Sequence, residues 1–359
     1  MRVVDMSTGI SGAYCAQQLA LIGADVIRVA LTSAPHLNVA PGDEIIDELL
    51  ELGKSRLVLD LAREEDRAHF IRLVADADAL IDDAGPAGFT AFGLDEDVLF
   101  EHRPSLVRTR ISEFGLDGPW ASWHGSELVN LAAGGLLFLT GTFDRPPVQL
   151  APFQAQLTGG LLAAIATSAA LYAGGPATVD ISKQEAVMAM LTPSLTNYAY
   201  TGVIDAREGT VAGMTRIEQA SDTWVYAGPS SPTSADYETY AAFLGIPELA
   251  EPRFSTPERR MEHWDEHQAL IAPRLRERTA KEWVDDAATW RLTFGYVQTT
   301  TDVLECPVLS ERAFFADVPT SKGRVRTPLA PYLTDGVRPT VLSHPAASLE
   351  PAQAPAGDD

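Results

Sequence analysis

Apolar positions in the first half of this chain fall into short runs divided by stretches of helical spacing. Val3 to Met6, GADVIRVA (Gly23 to Ala30), SRLVLDL (Ser55 to Leu61), ADALIDDAGP (Ala77 to Pro86) and LVRTRIS (Leu106 to Ser112) read as five strands, the fourth with its turn. Ser11 to Ile22 and Glu64 to Ala77 repeat their apolar residues at helical intervals, and ATVDISKQEAVMAML (Ala177 to Leu191) passes from strand to helix. Strand, helix, strand at this spacing predicts an α/β fold on a parallel sheet. Between Pro147 and Tyr172 the pattern changes: prolines and polar residues give way at Leu157 to a helix rich in Gly and Ala, including Gly159 and Gly160. Small residues on almost every side predict a buried helix. Gln156 stands at its mouth, beside the N–H groups that a helix leaves unsatisfied.

Further on, Asp205 to Gly213 is polar and reads as a link into a second region. There TWVYAGP reads as a strand and TSADYETYAAFLG as a helix, followed by a charged helical pair through Glu282 and Trp283. The expected division is a first α/β domain over 1–204, a linker and second domain over 205–318, a return to the first domain over 319–343 and a disordered Pro/Ala-rich tail over 344–359. KGRVRTPLAP is the expected crossing strand of that return.

Composition narrows the function. The 359 residues are 46% hydrophobic and carry a formal charge of −22, which argues against nucleic-acid or anionic-membrane partners. No apolar run is read as reaching the roughly 20 residues of a membrane span, and MRVVDMSTG lacks the pattern of a secretory leader, so a cytoplasmic protein is expected. Cys15 and Cys306 lie far apart and read as buried free thiols. Neither GxGxxG nor GxxxxGK[ST] occurs, which removes a dinucleotide or P-loop reading. HWDEH, from His263 to His267, has the spacing of a zinc-binding helix, but its densely charged surroundings favour a surface helix and no metal is expected.

Specific wording supports a family resemblance. MSTGISGAYCAQQLALIGADVIRV follows an opening in which a "GPxC" helix leads to "GADVIKVE"; Ser112, Phe114, Gly115, Gly118 and Pro119 match "SxFGxxGP"; HGSELVNLAAGGLLFLTG, expected as a helix from His124 to Gly141, matches "GxDLxxQAxSGxxxxTG"; and VDISKQEA matches "VDVSLxDA". The chain resembles the family III CoA-transferases over nearly its whole length. That resemblance implies a Rossmann-like large domain (1–204, with the return over 319–343) and a small α+β domain (205–318) joined as an open ring, two chains interlocking as a dimer, and CoA or acyl-CoA as substrate. In the family an aspartate attacks the donor thioester, forms a mixed anhydride and passes CoA to an acceptor acid.

The alignment puts Gln156 on that aspartate, a neutral amide where a nucleophile belongs. Ser126 falls where racemase-type members carry a histidine; His124, two residues earlier, is in reach of a nearby cleft but reads first as structural; and Glu127, the nearest carboxylate and so a candidate substitute nucleophile, reads first as an exposed first-turn acid favoured by its helix dipole. Carried over by position, CoA contacts fall on Ser11, Gly12, Ala13, Lys54, Asp83, Ala84, Gly159 and Gly160, the last two as backbone oxyanion donors. Basic positions expected near CoA are Gly85 and Ala91 here, and "NRGKRS" survives as Gly53, Lys54 and Arg56. Each lost phosphate contact costs on the order of 1.5 to 3 kcal/mol. Three readings follow: an enzyme of the family with a degenerate nucleophile, a non-catalytic subunit of a heteromeric transferase paired with a related chain, or a repurposed protein holding a non-CoA ligand.

Overall fold

Six stretches of the chain are paired as neighbouring parallel strands in a computed structural model that describes residues 1–39, 43–141, 144–205, 207, 217–229 and 234–340. In order, β1 (Arg2–Asp5), α1 (Ile10–Leu21), β2 (Asp25–Leu31), α2 (Glu44–Leu50), β3 (Lys54–Leu59), α3 (Glu64–Ala75), β4 (Ala79–Asp82), α4 (Glu96–His102), β5 (Val107–Ser112), α5 (Glu127–Ala133), α6 (Gln154–Ala173), β6 (Ala177–Ser182), α7 (Lys183–Ala189) and α8 (Thr192–Thr201) build the first unit. The sheet order is β3-β2-β1-β4-β5-β6. Every pairing is parallel, from Val3 opposite Val26 and Ala79 outward to Ser112 opposite Ser182.

A parallel sheet is covered on both faces, so its strands read as near-continuous apolar runs. Alternate residues of those runs feed two cores. Val4, Ile27, Val29, Leu57 and Leu80 pack with Phe70 and Val74 of α3, while Val3, Val26, Ala79, Ile81 and Val107 pack with Cys15 and Leu19 of α1 and Ala163 of α6. Burial pushes the Cys15 thiol far above its ordinary range. The second unit spans Ala206–Ser310 with Thr142–Asp144, and its described elements are β7 (Ile217–Gln219), β8 (Trp224–Gly228), α9 (Ser234–Leu244), α10 (Pro257–Glu262), α11 (Trp264–Leu275), α12 (Ala280–Thr289), β9 (Thr293–Tyr296) and α13 (Thr300–Leu304). Its three strands form a small antiparallel sheet over a core that includes Tyr240, Leu249, Phe254 and Trp283. After α14 (Pro307–Glu311), the chain rejoins the first unit from Glu311 on.

Several expectations shift. KGRVRTPLAP forms β11 (Gly323–Pro328), which pairs antiparallel with β10 (Phe315–Thr320) in a ribbon separate from the six-stranded sheet. The helix expected over His124 to Gly141 is limited to α5, because the chain turns at Gly135 in the left-handed region and continues as a short 3-10 turn, Leu136–Leu139. α6 starts at Gln154, not Leu157, and its twenty residues are long and apolar enough by composition to cross a membrane; Gly and Thr within it had masked that run in the sequence. α2 carried no sequence signal that was read. Most of the polar link and all of the 344–359 tail lie outside the described residues.

The HWDEH segment is not a uniformly exposed helix. His263 precedes α11, whereas His267 is buried with Nε2 2.5 Å from the Tyr237 hydroxyl and Nδ1 3.1 Å from the Gln268 amide. Burial lowers its pKa to about 4. Gln268, Ile271 and Leu275 lie on the same buried face.

Candidate active site

In a doubly wound parallel sheet the strand order reverses at one point, and the loops leaving the strands' carboxyl ends part there to leave a crevice. Here the reversal lies between β1 and β4. A cavity of about 720 Å³ opens at that end, walled by Thr8 and Gly9 after β1, Asp83 to Pro86 after β4, Glu113 after β5, Lys183 after β6, the Trp123 to Glu127 segment and Gln156.

Gln156 is the third residue of α6, and Phe153 before the helix takes a left-handed backbone (φ 67°), an uncommon state for a bulky residue. Glu127 secures this entrance: its carboxylate accepts from Ala155 N at 2.9 Å and Gln156 N at 3.2 Å. The expectation of an exposed first-turn acid is therefore corrected, since an acid capping another helix satisfies two orphan N–H groups. The Gln156 side chain accepts through Oε1 from Ser11 Oγ at 2.7 Å and from Lys183 Nζ at 3.4 Å. An ammonium has no acceptor, so the Lys183 contact assigns the oxygen end of the amide. Lys183 Nζ also donates to Glu113 Oε1, and Asn130 Nδ2 donates to Glu113 Oε2. Glu113 is 27% exposed and Lys183 10%. One ammonium thus bridges a half-open carboxylate and the Gln156 oxygen.

Ser126 caps α5 by accepting from Val129 N at 3.3 Å, and His124 stands exposed at the cavity wall. Asp83 accepts from Thr8 N at 2.6 Å and Gly9 N at 2.7 Å, fixing the turn into α1; burial pushes its carboxyl up against the pull of those amides. Ala84 lines the cavity.

Other expected CoA contacts are occupied elsewhere. Lys54 is buried, donating to Asp5 Oδ2 at 2.8 Å and Ala13 O at 2.9 Å, so it is not free for a phosphate. Gly12 and Ala13 are buried beneath the site, and Ser11 reaches it only through its bond to Gln156. Gly159 and Gly160 are buried as the sixth and seventh residues of α6, beyond the four N–H groups that a helix leaves free. Gly160 instead allows close approach: a Cβ there would collide with the Ser11 carbonyl of α1. The sequence reading missed Glu113, Lys183 and Asn130. Their signal was position, since Glu113 and Lys183 directly follow β5 and β6 at the ligand-binding end of the sheet.

The sequence model of CoA-transferase family III matches residues 1–347. The chain belongs to CoA-transferase family III. It is 28% identical over 322 residues to a succinyl-CoA:D-citramalate CoA-transferase of Chloroflexus aurantiacus, covering 86% of this chain and 80% of that one. Similarity to subunit BbsE of the succinyl-CoA:(R)-benzylsuccinate CoA-transferase of Thauera aromatica is 30% over 237 residues, covering 62% and 58%. The fold is shared with a CaiB/BaiF family protein from Brucella suis, at a TM-score of 0.81 and 24% identity over 97% of this chain and 95% of that one.

Proposed function

We propose that this family III protein transfers CoA between carboxylic acids, binding the thioester in the cavity at the carboxyl end of the sheet. The observation that carries this reading is the convergence on that one cavity of Gln156 from α6, Lys183 from the start of α7 and Glu113 from the turn after β5. Lys183 offers the positive charge that an acid or a thioester oxygen needs there, while the wall supplies few other cations for CoA phosphates. The relatives named as CoA-transferases support the class of reaction.

Calorimetric titration with CoA and acetyl-CoA tests it, run beside solution mass and a transfer assay against a panel of acids. Micromolar binding with transfer supports the proposal. An absence of binding overturns it and points to a ligand other than CoA.

The amide at Gln156 favours one second reading, a chain that needs a related subunit, and one relative is itself named a subunit. Leu161, Ile165 and Tyr172 of α6, the last 95% exposed, with Tyr198 and Tyr200 of α8, offer apolar surface for a second chain, identical or related. Gain of transfer in Gln156→Asp from an inactive parent would favour that reading. No gain with any tested thioester would count against it.

A further inference from the structure

Resting on that reading of the cavity, we propose that Glu113 supplies the nucleophilic carboxylate that Gln156 lacks. Three observations converge on it. Glu113 is an accessible carboxylate at the cavity wall, directly after β5. Lys183 holds it beside Gln156, and Asn130 fixes its second oxygen, so both carboxylate oxygens are oriented by buried donors. Finally, Gly125 leaves it room, because a Cβ at that position would collide with the Glu113 carboxylate.

Gln156 then has a different task. Its Oε1 is engaged by Ser11 and Lys183, so the amide's N–H groups are the donors that this cavity-lining residue has left for the charge that develops on a thioester oxygen.

The step balances without a redox partner. A Glu113 oxygen lone pair attacks the thioester carbonyl carbon; the new C–O bond forms as the C–S bond breaks, and CoA leaves as thiolate. That thiolate attacks the Glu113 carboxyl carbon of the mixed anhydride, releasing the donor acid as carboxylate and leaving CoA as a thioester on Glu113. An acceptor carboxylate reverses both steps, so the thiolate and carboxylate charges are conserved throughout.

The test is trapping on the unmodified protein. It is mixed with acetyl-CoA or succinyl-CoA, quenched with hydroxylamine and digested, and the peptides are read by mass spectrometry. A hydroxamate on Glu113 is the expected result, accompanied by loss of transfer of at least a hundredfold in Glu113→Gln and partial recovery in Glu113→Asp. Calorimetry on Glu113→Gln should still show CoA binding, because the carboxylate is not invoked to hold CoA. A hydroxamate on Glu127 or any other residue overturns the assignment, as does a protein that binds CoA without any adduct, or Glu113→Gln transferring within tenfold of the parent. Failure to bind CoA at all removes the functional reading together with it.

Discussion

Lys54 and Lys183 each begin an element of the first unit and each hold a carboxylate, yet their surroundings differ. Lys54, the first residue of β3, has a fully buried side chain and spends its donors on Asp5 and the Ala13 carbonyl; Arg28 lies 3.8 Å from the same aspartate and binds Glu51 at 3.0 Å. Every charge in that group faces another, and the Asp5 carboxyl lies below its usual range because Lys54 and Arg28 outweigh the burial that would raise it. Lys183, the first residue of α7, bridges a half-open glutamate and an amide at the wall of a cavity. A closed network specifies the fold; an open one beside solvent has donors and acceptors to offer a ligand. Charge and residue type alone do not separate the two lysines, since only their neighbours do.

The sharpest way to break the comparison is Lys54→Met. It removes one partner from a buried aspartate and leaves Arg28 as the remaining cation, so stability should fall by about 3 to 5 kcal/mol. Urea unfolding measures this, and a loss below about 1 kcal/mol would mean that Asp5 does not depend on Lys54 for its charge balance.

His267 is a second closed group, in the other unit. Its folded pKa lies near 4, below the ordinary value of about 6.5, so the neutral ring is favoured in the folded state. That contribution is complete above pH 6.5 and is lost as pH falls from 6.5 towards 4, up to about 3 kcal/mol in total. Unfolding followed across that window should show the slope, and His267→Gln should flatten it. An unchanged slope in the variant would assign the pH dependence to other groups.

Glu127 stands between the two cases, half-buried and holding the first turn of α6. Glu127→Ala should cost about 1 to 2 kcal/mol, the range of a lost helix cap, which is a few degrees in melting temperature for a domain of this size. Glu127→Gln should recover part of it, as its oxygen can still accept one of the two N–H groups. Equal melting temperatures for the parent and Glu127→Ala would sink the capping role.

These cases also show what was legible in the sequence. The strands of the six-stranded sheet were, because a parallel sheet buried on both faces writes itself as apolar runs, and so was the place of Gln156 at the entrance of α6. Lys54 was misread: ELGKSR carries no mark of whether its ammonium faces solvent or Asp5, 49 residues away. Gly159 and Gly160, expected as ligand contacts, owe their smallness to close neighbours, the Lys183 side chain for Gly159 and the Ser11 carbonyl of α1 for Gly160. Glu113 and Lys183 are 70 residues apart and meet only because β5 and β6 are neighbours in the sheet, Ser112 opposite Ser182. Strand order is a tertiary fact, and no local pattern in either segment contains it.

Lys183→Met is the companion to the first substitution and the smallest in its effect on the fold. Glu113 keeps Asn130 and its solvent-facing side, so removal of the ammonium strands no buried charge and should cost about 1 kcal/mol or less. Transfer should fall much further, about a hundredfold, the scale on which a single preorganised donor at a developing oxyanion is felt. Lys54→Met should do the reverse, lowering stability while leaving the rate per folded molecule near that of the parent. Paired unfolding curves and transfer rates normalised to the folded fraction read both. If both substitutions lower stability alike and neither changes the normalised rate, the two lysines are structural in the same way and the cavity network is only a second core contact.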